Sequence, residues 1–235
     1  MQQMVIDRKD MERNPIVERL KSSGTAYSPS KLFCKISGLD ARQLIRDGIE
    51  TISNPRLYEI DMENEYKSLA MLHEGLPKNV VRPLLFFKMH DGDKIVSCGY
   101  IMEKMDGTTL GSRYLIKDIN EDDYDKPTAY VPPKRIMGAF RDCLVRDLGN
   151  LVKLVEELHA KGLGHGDLNP SNIMVLRSGG IKLIDPLPYA NGNEIDMKET
   201  IRLERANTFR AWRNLNMLAR AGFNSVKMES ECMRK

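Results

Sequence analysis

The stretch HGDLNPSNIMV, His165 to Val175, sets Asp167 five residues ahead of Asn172 and just before a short apolar run. IKLIDPLP, Ile181 to Pro188, follows and ends a second apolar run on Asp185. Two carboxylates and an amide in this order suit phosphoryl transfer, which asks little covalent work of a protein. The reaction needs a carboxylate to receive or orient the acceptor hydroxyl, and oxygen ligands to hold Mg²⁺ on nucleotide phosphates. Mg²⁺ takes only one or two protein carboxylates, because phosphate and water oxygens complete its octahedron. In that chemistry Asp167 orients the acceptor, and Asn172 and Asp185 bind the metal.

Those residues need a frame, and the hydrophobic periodicity supplies one in two parts. From about Ile16 to Met105 the chain has strand-like runs: KLFCKIS (Lys31 to Ser37), VVRPLLFFKM (Val80 to Met89) and KIVSCGYIMEKM (Lys94 to Met105). One helix interrupts them, MENEYKSLAMLHEGLP, which sets Leu69 and Leu72 on the face of Glu65 and stops at Gly75 and Pro77. From Arg135 onward Ile136, Phe140, Leu144, Leu151, Val155 and Leu158 recur at helical spacing, predicting one or two long helices closed by Gly162. NIMVLRSGGIKLID then reads as strand, Ser-Gly-Gly turn and strand. Lys117 to Arg135, acidic and proline-bearing, reads as an exposed insertion loop. The segment KETIRLERANTFRAWRNLNMLARAG reads as an arginine-studded, solvated helical region in which the single Trp212 anchors to the core. His159 is expected under the Asp167 loop, and His165 is expected to organise that loop by hydrogen bonding.

Composition narrows the classes. With 235 residues, 41% hydrophobic and 29% charged, the chain is long enough for one large domain or two lobes. A net charge of +3 selects neither nucleic acid nor an anionic membrane. Cys34, Cys98, Cys143 and Cys232 form no C-x-x-C pair, so neither a zinc site nor a disulfide framework is indicated and a reducing compartment is the default. No apolar run approaches a membrane span and the polar start lacks a signal-peptide core. The expected location is cytoplasmic, with export by a dedicated machine into a host cytosol left open.

HGDLNPSN resembles the catalytic loop H-x-D-x-x-x-x-N of the protein-kinase-like superfamily, and the Asp of IDP resembles the metal-binding Asp of its D-F-G segment. The likeness extends backward through the chain. Lys35 of LFCKIS matches the third-strand lysine that pairs with ATP phosphates, and Glu65 matches the helix glutamate that holds it, with Glu63 the competing choice. YIMEKMDGTTL resembles the hinge between lobes, with Met102 before it and the backbone of Glu103 to Met105 placed to meet an adenine edge. Ser22, Ser23, Gly24 and Thr25 stand where the phosphate-covering loop would be. The resemblance implies an α+β, bilobal protein-kinase-like fold: a small β-rich N-lobe over about 14–105 and a truncated, mostly helical C-lobe over 106–235. It further implies ATP and Mg²⁺ in the cleft between the lobes, and a catalytic group of Asp167, Lys35, Glu65 and Asn172.

Departures from the pattern shape the rest of the expectation. Gly24 is the only glycine of the phosphate loop, Phe33 fills a position that is usually small, Asn169 replaces a common lysine, and Asp185 precedes Pro-Leu instead of Phe-Gly. Proline biases its predecessor toward extended backbone, which argues against an in/out flip there. About fifty residues follow Asp185, fewer than aminoglycoside, choline or fructosamine kinases spend on their substrate lobes. A short C-lobe is similar to that of RIO kinases, of the compact kinase of the tRNA-threonylcarbamoylation complex, and of minimal bacterial effector kinases. A protein Ser/Thr acceptor is therefore expected, and the glycine-poor phosphate loop leaves room for an activating protein partner. The rival expectations are a small-molecule phosphotransferase and a pseudokinase that binds without turnover.

Overall fold

The computed structural model describes residues 2–7, 9–10, 15–22, 28–38, 42–46, 48–53, 59–117, 134–187 and 194–221. The chain is a mixed α+β protein dividing into two compact units, Met1–Asp106 with Ile184–Asp196, and Gly107–Leu183 with Met197–Lys235. The expected boundary near residue 105 assigned the Asp185 segment to the second part. In the structure it belongs to the first unit, where an ion pair with Lys35 ties it down.

The first unit is built on strands β1 (Gln3–Asp7), β2 (Leu32–Gly38), β3 (Glu50–Ser53), β4 (Pro83–Asp91) and β5 (Lys94–Glu103) in the order β1-β4-β5-β2-β3. β1 runs parallel to β4 and β2 parallel to β3, whereas β5 is antiparallel to both its neighbours. Helices α1 (Pro15–Ser22), α2 (Arg42–Arg46) and α3 (Glu59–Gly75) complete the unit. The period of two along each strand sorts its side chains. Leu32, Cys34 and Ile36 join Leu85, Phe87 and Ile101 in a core with Ile16, Val17 and Leu20 of α1. Alternate residues Lys35, Phe86 and Tyr100 point the other way, and Tyr66 of α3 packs its ring 5.7 Å from Phe86 and 5.8 Å from Tyr100. A buried lysine therefore sits on the α3 side of a sheet whose other side packs an apolar core against α1. β1 was not expected in the polar start of the chain; it forms by parallel pairing with β4, with Gln3 opposite Phe86.

The second unit contains strands β6 (Gly107–Thr109), β7 (Ile173–Leu176) and β8 (Ile181–Leu183) in one small sheet. Its helices are α4 (Leu110–Tyr114), α5 (Lys134–Ala160), α6 (Glu194–Ala206) and α7 (Thr208–Arg220). Thr109 caps α4 by accepting from the Ser112 N–H at 3.2 Å. Leu144, Leu151, Val155 and Leu158 are buried on α5. Phe140, expected on the same stripe, is instead 47% exposed, because the backbone leaves helical geometry at that residue (φ −127°, ψ 17°) and the stripe loses its phase. The arginine-rich segment is two helices broken at Asn207 (φ −119°, ψ −97°). Trp212 is fully buried, while Arg210, Arg213 and Arg220 are exposed. Of the expected insertion loop, residues 118–133 lie outside the described residues, and α5 begins at Lys134.

Candidate active site

In the first unit, the register of β2 against β5 puts Lys35 directly opposite Tyr100, so the two side chains emerge side by side on the α3 face. Helix α3 presents Glu65 to them. Lys35 Nζ lies 2.5 Å from Glu65 Oε1 and 3.3 Å from Asp185 Oδ1. The Tyr100 hydroxyl donates to the same Glu65 oxygen at 2.5 Å and reaches Asp185 Oδ1 at 3.5 Å. Glu63, the alternative to Glu65, pairs with Lys67 at 2.7 Å and Lys88 at 2.8 Å. Three residues expected to act together thus meet in one unit, and Tyr100 joins them.

The electrostatics follow from burial. For Lys35, burial works against the ammonium, but the carboxylates of Asp185 and Glu65 outweigh it and hold the side chain above its ordinary range. Burial pushes the Glu65 carboxyl up, while Lys35 and Tyr100 pull it back. The Tyr100 phenol is raised well above normal, first by burial and then by both carboxylates, so at neutral pH it is a protonated donor. One ammonium faces two carboxylates, which leaves a net charge of −1, and Asp185 is the partly open member with its side chain 33% exposed. Its backbone is left-handed (φ 49°), not extended as the following proline predicts. A non-glycine residue in that region costs on the order of 1–3 kcal/mol, so the tie to Lys35 works against a local strain.

The second unit contains the Asp167 loop. Asn169 Nδ2 donates to Asp167 Oδ1 at 2.5 Å, and Asn172 Nδ2 donates to Asp167 Oδ2 at 2.8 Å and to its carbonyl at 3.1 Å. Both carboxylate oxygens are therefore oriented by amides, and each keeps a lone pair for a further donor. The Asp167 N–H donates to Nδ1 of fully buried His165 at 3.3 Å, the organising role expected of that histidine. Gly166 has φ 82°, a conformation that a Cβ would strain, which explains glycine just before the aspartate.

Beneath the loop lies Glu204 of α6. Its Oε1 accepts the His165 N–H at 2.9 Å and the Gly166 N–H at 2.5 Å, and its Oε2 is 2.7 Å from His159 Nε2. Gly164 permits this approach, since a Cβ there would lie 2.9 Å from Thr200 Cγ2. Trp212 Nε1 donates to the Leu168 carbonyl at 2.9 Å. Sequence reasoning placed His159 and Trp212 but missed Glu204. The available signal was its place at i+7 from Met197 and i+3 from Ile201, an acid on the apolar stripe of α6.

Other expected positions fare differently. Ser22 is the last residue of α1, with its hydroxyl donating to Arg19 O at 2.9 Å, and so belongs to a helix, not to a phosphate loop. Ser23, Gly24 and Thr25 lie outside the described residues. Met102 is buried in β5 opposite Phe33. Of the Glu103 to Met105 backbone expected to meet an adenine edge, the Glu103 N–H donates to Arg82 O at 3.0 Å and the Lys104 N–H to Lys31 O at 2.8 Å. Strand pairing consumes both amides. Among the described residues, the Met105 N–H has no backbone acceptor.

Among the described residues no cluster of three His, Cys, Asp or Glu could hold a metal by itself. A Mg²⁺ carried on nucleotide phosphates needs no such cluster: in the first unit Asp185 offers a partly accessible carboxylate. No protein-family model matches the chain, and no curated protein matches it.

Proposed function

We propose that this chain is an ATP- and Mg²⁺-dependent phosphotransferase with a bilobal, protein-kinase-like fold that passes the γ-phosphoryl group to a hydroxyl, first of all a protein Ser or Thr. The observation that carries this reading is the meeting of Lys35, Glu65 and Asp185. They come from three segments far apart in the chain, yet Lys35 stands within ion-pair reach of both carboxylates.

In this reading Lys35 acts as a positioned point charge for phosphate oxygens, with Glu65 preventing it from turning away. Asp185 would supply a carboxylate to Mg²⁺, and the ion would neutralise charge on the phosphates. Asp167, oriented by Asn169 and Asn172, receives the acceptor hydroxyl's proton and aims its oxygen. Met105 is the hinge amide that remains to meet a nucleobase. Among the described residues no helix is long and apolar enough to cross a membrane.

The test incubates purified protein with γ-labelled ATP and either a cell lysate or a panel of aminoglycosides and sugar amines. Label on protein bands supports the reading, and label confined to small molecules replaces it with the metabolite-kinase alternative. Nucleotide binding with no transfer or hydrolysis would make the chain a pseudokinase. Asp167→Asn is expected to lower transfer by about 10²–10⁴-fold, the usual contribution of a positioned acid or base. Unchanged transfer in that variant would remove Asp167 from its role.

A further inference from the structure

The Lys35 ammonium and the Tyr100 hydroxyl span the same two oxygens. Lys35 is 2.5 Å from Glu65 Oε1 and 3.3 Å from Asp185 Oδ1, and the phenol oxygen is 2.5 Å and 3.5 Å from the same pair. The ring has little freedom to swing, being fully buried and packed 5.8 Å from Tyr66. The two donors differ in what else they can do. Lys35 has three protons and can turn one toward a phosphate, whereas the single phenol proton has only Glu65 and Asp185 to serve. A second cation in place of Tyr100 would cancel the net negative charge of the group. A phenol donates its one proton chiefly to Glu65, keeps Asp185 within 3.5 Å of its oxygen, and leaves that charge in place.

We propose that Tyr100 is a positioning residue for metal-bound nucleotide: its hydroxyl keeps the Asp185 carboxylate beside the Lys35–Glu65 ion pair while leaving that carboxylate's charge for a cation. The inference rests on the functional reading above and assigns the magnesium dependence of nucleotide binding to a residue of β5 that does not touch the reacting atoms.

The experiment is calorimetric titration of the full chain with ATP, once with Mg²⁺ and once with EDTA, for wild type and Tyr100→Phe. The variant is expected to bind Mg–ATP about tenfold more weakly, the equivalent of one hydrogen bond to a charged acceptor, and to bind metal-free ATP within about twofold of wild type. Equal affinity for Mg–ATP would overturn the proposal. An equal loss in both titrations would do so too, because it would mean that the hydroxyl serves Lys35 alone. Failure of the wild type itself to bind Mg–ATP would sink the functional reading, and this inference with it. Should Tyr100→Phe not fold, proton NMR of the wild type decides: the Tyr100 hydroxyl proton is expected far downfield and shifted by Mg–ATP, and a resonance that Mg–ATP leaves unmoved would refute the role.

Discussion

Glu204 Oε2 lies 2.7 Å from His159 Nε2, and both side chains are almost wholly buried. The other oxygen of that carboxylate holds the His165 and Gly166 amides, so one side chain joins α5, α6 and the loop bearing Asp167. Glu204→Ala leaves two amides and a ring nitrogen buried without their acceptor. A loss of about 3–5 kcal/mol is expected, as for one member removed from a buried ionic network. Glu204→Gln keeps an oxygen for the amides and is expected to cost about 1–2 kcal/mol. Urea denaturation measures both, and a near-neutral Glu204→Ala would contradict the structural role.

Lys35→Met leaves the Glu65 and Asp185 carboxylates facing each other without a cation. An uncompensated buried charge costs about 3–5 kcal/mol. Adding Glu65→Leu removes the more buried of the two, so the double variant is expected to be more stable than Lys35→Met alone. The comparison is a double-mutant cycle in denaturant. Additive losses would mean that the ion pair is energetically idle.

Alkaline pH acts on the same group. Lys35 and Tyr100 both have folded-state pKa values raised above their ordinary ones. Above about pH 10 the unfolded chain releases these protons first, the folded chain holds more of them, and stability falls as pH rises. The contribution is complete below that range and is lost through the higher folded-state values. Thermal midpoints measured from pH 8 to pH 11 are expected to fall more steeply for wild type than for Tyr100→Phe. Parallel curves would show that the phenol does not titrate with folding.

Much of the fold was legible because its signals are local. The alternation in LFCKIS and KIVSCGYIME marks β2 and β5, the Ser-Gly-Gly turn marks the β7–β8 hairpin, and the spacing of Glu65, Leu69 and Leu72 marks α3. Of the expected phosphate loop, Ser22 reads equally well as a loop residue and as the last turn of a helix, and packing of Ile16, Val17 and Leu20 decides for the helix. The hinge was legible only in part. A backbone amide carries no sequence signature of its partner, and Glu103 gives its N–H to Arg82.

By itself the sequence determined which side chains are available for phosphoryl chemistry and in what order they occur, Lys35, Glu65, Asp167, Asn172 and Asp185, because residue type and short-range spacing are written directly in the chain. Only the tertiary structure decided that Tyr100 stands across from Lys35, that Glu204 is drawn beneath the Asp167 loop, and that Asp185 adopts a left-handed backbone. Those outcomes depend on strand register and on the burial of charge between segments far apart in sequence, and no local pattern encodes either.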